Sequence, residues 1–275
     1  MNSKNLSDPS VGVKFNENFF VTEDEATCRK YFKEQVIDTE RYWRRLGGRP
    51  DFAGKVVLEL GCGHGALCVD AALSGARRVI GLDLTSNRIA FARRFVAERF
   101  PQIAHKIEFH CLDIAALSPD YDFDIVLSKD TFEHIMGIKQ VLRTIRRLLR
   151  QDGLLITGFS PLYYSPFGDH GFHAIGQRFK VPWAHLMLGD TYVVDAYNAH
   201  HPGVQCRSIY DLGLNKLKRR DFLAAFQQTG FVLLRENVNA IEGASKLMPL
   251  FRLLRHIPIL EDYVTVNMYA VLRRS

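Results

Sequence analysis

The chain has 275 residues, 47% hydrophobic, 24% charged and 11% aromatic, enough apolar surface for one large decorated domain and a poor match to collagen, coiled coil or disorder. Thirty-six Lys and Arg against 30 Asp and Glu give a net charge of +6, which admits an anionic partner but requires none. No run of 18 apolar residues is present and Met1 to Pro9 holds no apolar stretch of signal-peptide length, so no membrane span or leader is expected.

The five cysteines (28, 62, 68, 111 and 206) include no CxxC pair; reduced thiols in a cytoplasmic protein are expected. After a polar leader, Thr22-Glu23-Asp24-Glu25 is a capping-box pattern. It predicts a helix whose buried face carries Phe32, Val36, Trp43 and Leu46 and which stops at Gly47-Gly48, an N-terminal helical extension over residues 1–50. Beyond Pro50, strands and helices alternate. Val56 to Leu60, Val79 to Asp83, Ile107 to Asp113 and Phe123 to Ser128 read as strands. The helix after them carries Ile138, Val141, Leu142, Ile145, Leu148 and Leu149 as one apolar stripe, with Arg143, Arg146, Arg147 and Arg150 opposite. Asp152-Gly153 then turns the chain into a fifth strand, Leu154 to Phe159. A helix from Asp221 to Thr229, closed by Gly230, precedes strands at Phe231 to Val238 and Tyr263 to Leu272. Regular alternation of this kind predicts an α/β, doubly wound, Rossmann-like sheet with helices on both faces. Two segments, about 161–218 and 240–261, interrupt the rhythm as insertions in the 51–275 domain.

The turn after the first strand reads Leu58-Glu59-Leu60-Gly61-Cys62-Gly63-His64-Gly65. Glycines there let backbone approach a ligand at a helix N-terminus. Gly61-x-Gly63-x-x-Ala66 with Asp83, 22 residues after Gly61, formally satisfies a dinucleotide fingerprint, so a nicotinamide cofactor stays open on this motif alone. Glu59, placed to receive a ligand ammonium, and Asp113, placed to bond an adenine amine, favour S-adenosyl-L-methionine.

The segments Val56 to Gly65, Val79 to Asp83, Cys111 to Ile114 and Phe123 to Ser128 resemble the successive motifs of class I S-adenosylmethionine-dependent methyltransferases. Phe132-Glu133-His134-Ile135 is similar to a pattern of the small-molecule, type 11 branch. The resemblance covers roughly 50–160 and 219–274 and implies seven strands with the last antiparallel. It also implies that Glu59, Gly61 and Gly63 hold the methionine end, Asp83 the ribose hydroxyls, Leu84, Asp113 and Ile114 the adenine, and that Ser128 lines the cofactor beneath the sulfonium.

For the methyl acceptor, Ser128-Lys129-Asp130-Thr131 lacks the (Asn/Asp/Ser)-Pro-Pro-(Tyr/Phe) clamp of amino-methylating nucleic-acid enzymes. Cys111 and Cys206 are misplaced for cytosine-5 chemistry. Between Pro161 and His201 lie eight aromatic residues and five of the ten histidines, which suggests an aromatic pocket for a small-molecule acceptor. Its alternative is a satellite core beneath a long loop. His170 or His173 is the expected general base, oriented by Asp169, with His134 as competitor. No metal site is assigned, although Asp169, His170 and His173, joined by His185 or His200-His201, could instead ligate one. The basic amphipathic stretch 246–257 could pack on the domain, touch a membrane surface or form a homodimer face. Arg178 and Lys180 against Asp169, Asp190 and Asp195 leave the aromatic insertion at a net charge of −1, which disfavours nucleic acid as the partner. O-methylation of a sugar, glycan-pathway intermediate or aromatic or polyketide metabolite leads. Small-amine N-methylation, an RNA substrate and a catalytically inactive binding subunit remain the alternatives.

Overall fold

A computed structural model describes residues 24–203, 205–240 and 248–275. The first helix, α1 (Glu25–Leu46), starts where the Asp24 carboxylate accepts the Thr27 N–H at 2.7 Å. Asp24 therefore caps the helix, two residues later than the capping-box pattern predicts; Thr22 lies outside the described residues. α1 ends at Gly47, whose φ of 83° suits a residue without Cβ. Phe32, Trp43 and Leu46 are buried along α1 as expected, but Val36 is 44% exposed, and Cys28, Thr39 and Tyr42 complete the buried face.

The alternating elements are β1 (Val56–Leu60), α2 (Ala66–Leu73), β2 (Arg78–Asp83), α3 (Ser86–Arg99), the short α4 (Pro101–Ala104), β3 (Ile107–Cys111), β4 (Phe123–Lys129), α5 (Ile138–Leu148) and β5 (Leu149–Phe159). Then come α6 (Ala184–Leu188), α7 (Asp190–His200), α8 (Arg219–Gln228), β6 (Phe231–Val238), α9 (Met248–Leu254), α10 (Glu261–Val264) and β7 (Met268–Arg274). The strands form one seven-stranded sheet in the order β3-β2-β1-β4-β5-β7-β6. β1 to β5 run parallel, and β7 runs antiparallel between β5 and β6. The doubly wound sheet with its antiparallel last strand is as expected.

Side chains alternate across this sheet, so each strand feeds two cores. Val57, Val79, Leu127 and Ile156 pack with α1, α2 and α3, whereas Leu58, Ile80, Val126 and Leu155 pack with α5 and α8. Two boundaries differ from expectation. β5 begins at Leu149, which pairs with Phe123 and whose carbonyl accepts from the Arg274 guanidinium; Asp152-Gly153 becomes an irregularity inside the strand rather than a turn before it. β7 begins at Met268, because Tyr263 lies in α10 and the Asn239 side chain ties down the following backbone. Its amide donates to the Val264 carbonyl at 2.8 Å and its oxygen accepts the Val266 N–H at 2.8 Å.

The buried Tyr42 anchors α1 to the sheet by donating its hydroxyl to the Ile156 carbonyl at 3.1 Å, and Trp43 Nε1–H donates to Asp70 at 2.8 Å. Tyr42→Phe removes one buried hydrogen bond and keeps the ring. A loss of about 1 kcal/mol is expected, read as a melting-temperature drop of about 2–4 °C.

The 161–218 segment builds its own small core from Tyr163, Val193, Val194, Tyr197, Ile209 and Leu212, with Tyr164 and Phe172 packed against it. This corrects the aromatic-pocket expectation: four of the eight rings pack into this core. Phe179 is 76% exposed, and Trp183 packs with Phe251 of α9. Within the basic stretch 246–257, Met248 and Phe251 are buried against the domain; Lys246 and Leu247 lie outside the described residues.

Candidate active site

A cavity of about 420 Å³ opens at the carboxyl ends of β1, β2, β3 and β4, where a doubly wound sheet presents ligand sites. That volume lies within the range of about 300–1,000 Å³ usual for small-molecule pockets. Glu59, Gly61, Gly63, Asp83, Leu84, Asp113 and Ile114, seven of the eight residues expected at the cofactor, all line it. Ser128 does not. Its side chain is fully buried within β4, and the cavity is bounded at that strand end by Lys129, Asp130 and Thr131 instead.

The glycine turn has a specific geometry. Gly61 has φ 75°, and a Cβ there would collide with the Thr131 side chain. Gly63 has φ 50° with open space where a Cβ would project, and its N–H donates to Asp83 Oδ2 at 2.8 Å. Asp83 Oδ1 accepts the Thr85 N–H at 2.8 Å. Asp83 thus fixes both the glycine turn and the start of α3, while each oxygen keeps a second lone pair for hydroxyls. Asp113 Oδ1 accepts the Ala115 N–H at 2.7 Å, which orients it at the end of β3.

Glu59 is 3% exposed and accepts from Cys68 Sγ–H at 2.9 Å. Burial pushes its carboxyl up to about 8, only partly opposed by the Cys68 bond and the Lys129 charge. A neutral, buried carboxyl at the mouth of a glycine turn is a group waiting for a cation. Lys129 is also buried, and its ammonium lies 2.8 Å from Asp38 of α1 and 3.1 Å from Asp130 and donates to Gln35 Oε1 at 2.7 Å. Burial opposes the charge, but Asp130 and Asp38 outweigh it and hold the lysine protonated. With Tyr31 and Gln35, this bridge makes α1 one wall of the cavity.

His134 and His170 also line the cavity, with ring centroids 5.1 Å apart. His134 Nδ1–H donates to the Gly213 carbonyl at 2.8 Å, which leaves Nε2 as the nitrogen without a proton. Burial lowers the proton affinity of His134. Burial and the neighbouring His134 lower His170 to about 4, only partly offset by Asp169. Both imidazoles are therefore neutral at pH 7. His170 has φ 58°, and its enclosed Nε2 has no hydrogen-bond partner among the described residues.

The other two candidates stand elsewhere. His173 and Asp169 do not line the cavity; they pair with each other, Nδ1 to Oδ2 at 2.7 Å, in the buried interior of the insertion. The carboxylate expected to orient a cleft histidine thus holds His173, while His170 between them turns into the cleft.

Glu133 lines the cavity without having been assigned a role from sequence. It is buried, and burial together with the Asp130 charge raises its carboxyl well above the usual range. Its Oε1 accepts from Ser160 N–H at 3.4 Å, and Oε2 has no hydrogen-bond partner among the described residues. The signal was present in Phe132-Glu133-His134-Ile135, read for its pattern rather than its acid. The tail of the insertion clamps this turn: Asn215 Nδ2 donates to the Phe132 carbonyl at 2.7 Å and the Ile135 carbonyl at 3.1 Å.

Residues 51–161 match the family model described as a methyltransferase domain. The chain is 32% identical over 124 residues to a ubiquinone biosynthesis O-methyltransferase of Neisseria meningitidis, covering 44% of this chain and 50% of that protein. It is 31% identical over 128 residues to a malonyl-[acyl-carrier protein] O-methyltransferase of Bacillus cereus, covering 45% and 43%. The chain thus spans about half the length of the curated relatives it matches. The fold is similar to the crystal structure of an S-adenosylmethionine dependent methyltransferase from Mesorhizobium loti, with a TM-score of 0.57 at 21% identity over 86% of this chain and 100% of that one.

Proposed function

We propose, from the match of residues 51–161 to the methyltransferase-domain model, that this protein is an S-adenosylmethionine-dependent methyltransferase acting on a hydroxyl of a small molecule. The carrying observation is the placement of Glu59, Asp83 and Asp113 at three adjacent strand ends around one glycine-lined cavity. The residues fit the cofactor: Glu59 for the ammonium, Gly61 and Gly63 for close backbone approach, Asp83 for the ribose diol, and Leu84, Asp113 and Ile114 for the adenine.

When bound, adenosylmethionine supplies a methyl group on a cationic sulfur that departs as a neutral thioether. The chain's own residues align the acceptor, exclude water and take the hydroxyl proton. His170 is the proposed proton acceptor: its neutral imidazole would take the proton of the acceptor hydroxyl when that oxygen receives the methyl group. His134, pinned by Gly213, fixes the floor beneath it. A nucleic-acid acceptor is disfavoured, because the cavity lining carries six acids against two basic residues, Arg88 and Lys129, and Lys129 is already paired. The O-methyltransferase names of the relatives support the hydroxyl reading.

A thermal-shift panel tests the assignment. S-adenosylmethionine and S-adenosylhomocysteine at about 100 times their dissociation constants should stabilise the protein by about 2.7 kcal/mol, with NAD without effect. Stabilisation by NAD alone, or by neither adenosyl ligand, overturns it.

A further inference from the structure

The Asp169–His173 pair has a third member. His185, on α6, is wholly buried and donates Nε2–H to the Tyr163 carbonyl at 2.8 Å. That bond fixes the tautomer and leaves a lone pair on Nδ1, which faces Asp169 Oδ1 at 3.6 Å. Two lone pairs face each other there, too far apart for a hydrogen bond and with no proton to share. Asp169 itself is fully buried. Its oxygens accept the Gly171 N–H at 3.1 Å and, on Oδ2, both the His173 N–H and Nδ1–H at 2.7 Å. Among the described residues no Lys or Arg lies within ion-pair distance of it. With Nδ1 committed to Asp169, the buried Nε2 of His173 has no hydrogen-bond partner among the described residues. A buried carboxylate and two buried imidazoles, with no Lys or Arg beside them among the described residues, form a costly arrangement.

We propose that Asp169, His173 and His185 form a site for a divalent transition-metal ion of the zinc type. One donor atom from each of the three lies within 4.8 Å of the other two. The 3.6 Å between Asp169 Oδ1 and His185 Nδ1 is close to the separation of about 3.3 Å between tetrahedral ligands about 2.0–2.1 Å from zinc. Nitrogen and carboxylate donors suit zinc or cobalt better than calcium or magnesium. The His185 Nε2–H bond to a backbone carbonyl is the outer-shell contact that orients a ligating histidine.

The donor set is narrower than the one the sequence left open. His170 belongs to the cleft, and His200 and His201 bond the Ala196 and Tyr197 carbonyls of α7. The ion joins the turn 169–173, which carries His170, to α6, and its ligands do not line the cleft. The site does not depend on what the cleft binds.

The test uses the full chain stripped with a chelator and titrated with Zn²⁺ or Co²⁺ alone. One equivalent should bind with micromolar or tighter affinity, raise the melting temperature and, for Co²⁺, give a visible d–d band of low-coordinate nitrogen–oxygen ligation. His185→Gln and Asp169→Asn should each weaken binding at least about tenfold, whereas His200→Gln should leave it unchanged. Failure of the wild-type chain to take up one equivalent, an octahedral-type cobalt spectrum, or undiminished binding by a folded His185→Gln variant overturns the proposal. The wild-type titration decides alone if the buried variants do not fold.

Discussion

Glu59→Gln lowers the affinity for S-adenosylmethionine about 10- to 100-fold at pH 8 and removes its dependence on pH. The magnitude follows from the loss of one hydrogen bond to a charged group, about 1.5–3 kcal/mol. The pH dependence follows from the site. In the ligand-free protein the Glu59 carboxyl titrates at about 8 because it is buried, so near neutrality it carries a proton. A ligand ammonium beside it favours the carboxylate, and binding below pH 8 must expel that proton. The wild-type affinity therefore rises by up to tenfold per pH unit as the solution approaches pH 8 from below. It stops rising once Glu59 is ionised in the free protein and the ligand's own ammonium begins to deprotonate. Glutamine has no proton to expel. Calorimetry at pH 6, 7 and 8, in buffers of different ionisation heat, reads both the affinity and the proton released. A wild-type affinity that stays flat from pH 6 to 8, or the same slope in Glu59→Gln, removes Glu59 from the ammonium site.

The sign for stability is the reverse. The folded-state value lies above the ordinary carboxyl value of 4.5, so between those limits the folded chain binds more protons than the unfolded one. The ligand-free protein loses stability as the pH rises through that window, and Glu59→Gln removes this component of the slope.

Most of the proposed cofactor half was legible in the sequence, and the reason is local. Glu59, Gly61, Gly63 and Asp83 are set by the strand–turn–helix repeat: when β1 and β2 are parallel neighbours, their carboxyl ends meet. Ser128 shows the limit of that logic. A strand of alternating side chains hides every second residue, and the cavity meets β4 one position later, at Lys129. The acceptor half was much less legible. An aromatic count does not distinguish rings that line a pocket from rings that pack on Tyr163 and Tyr197, and only the folded insertion separates them. Nor does spacing reveal that His170 and His173 face opposite ways. A positive φ at His170 and the short turn at Phe172–Ala174 divert the chain between them. Lys129 and its partner Asp38 are 91 residues apart, a pairing that needs α1 in place over the sheet.

His170→Ala should reduce kcat by about 10²–10⁴, the usual contribution of a positioned general base, while cofactor affinity stays within about threefold of wild type. His170 is not one of the acids proposed to hold the cofactor, so its removal takes away a proton acceptor and leaves Glu59, Asp83 and Asp113 in place. The pH profile supplies an independent reading. An ordinary histidine base cuts activity through 6.5, but burial and the neighbouring His134 hold His170 down at about 4. Wild-type kcat should therefore remain level as the pH falls from 8 to about 5, and decline only as His170 takes up a proton near its own lowered value. An inflection near 6.5 would mean that an unshifted imidazole carries the reaction. His134→Ala discriminates between the two rings. Its Nδ1–H bond to Gly213 makes it part of the wall, so its loss should act mainly on acceptor KM. If His134→Ala shows the large kcat defect while His170→Ala retains full turnover, proton transfer belongs to His134. If neither variant is slowed, the base lies outside this pair, and Glu133, the buried acid on the same wall, becomes the group to replace.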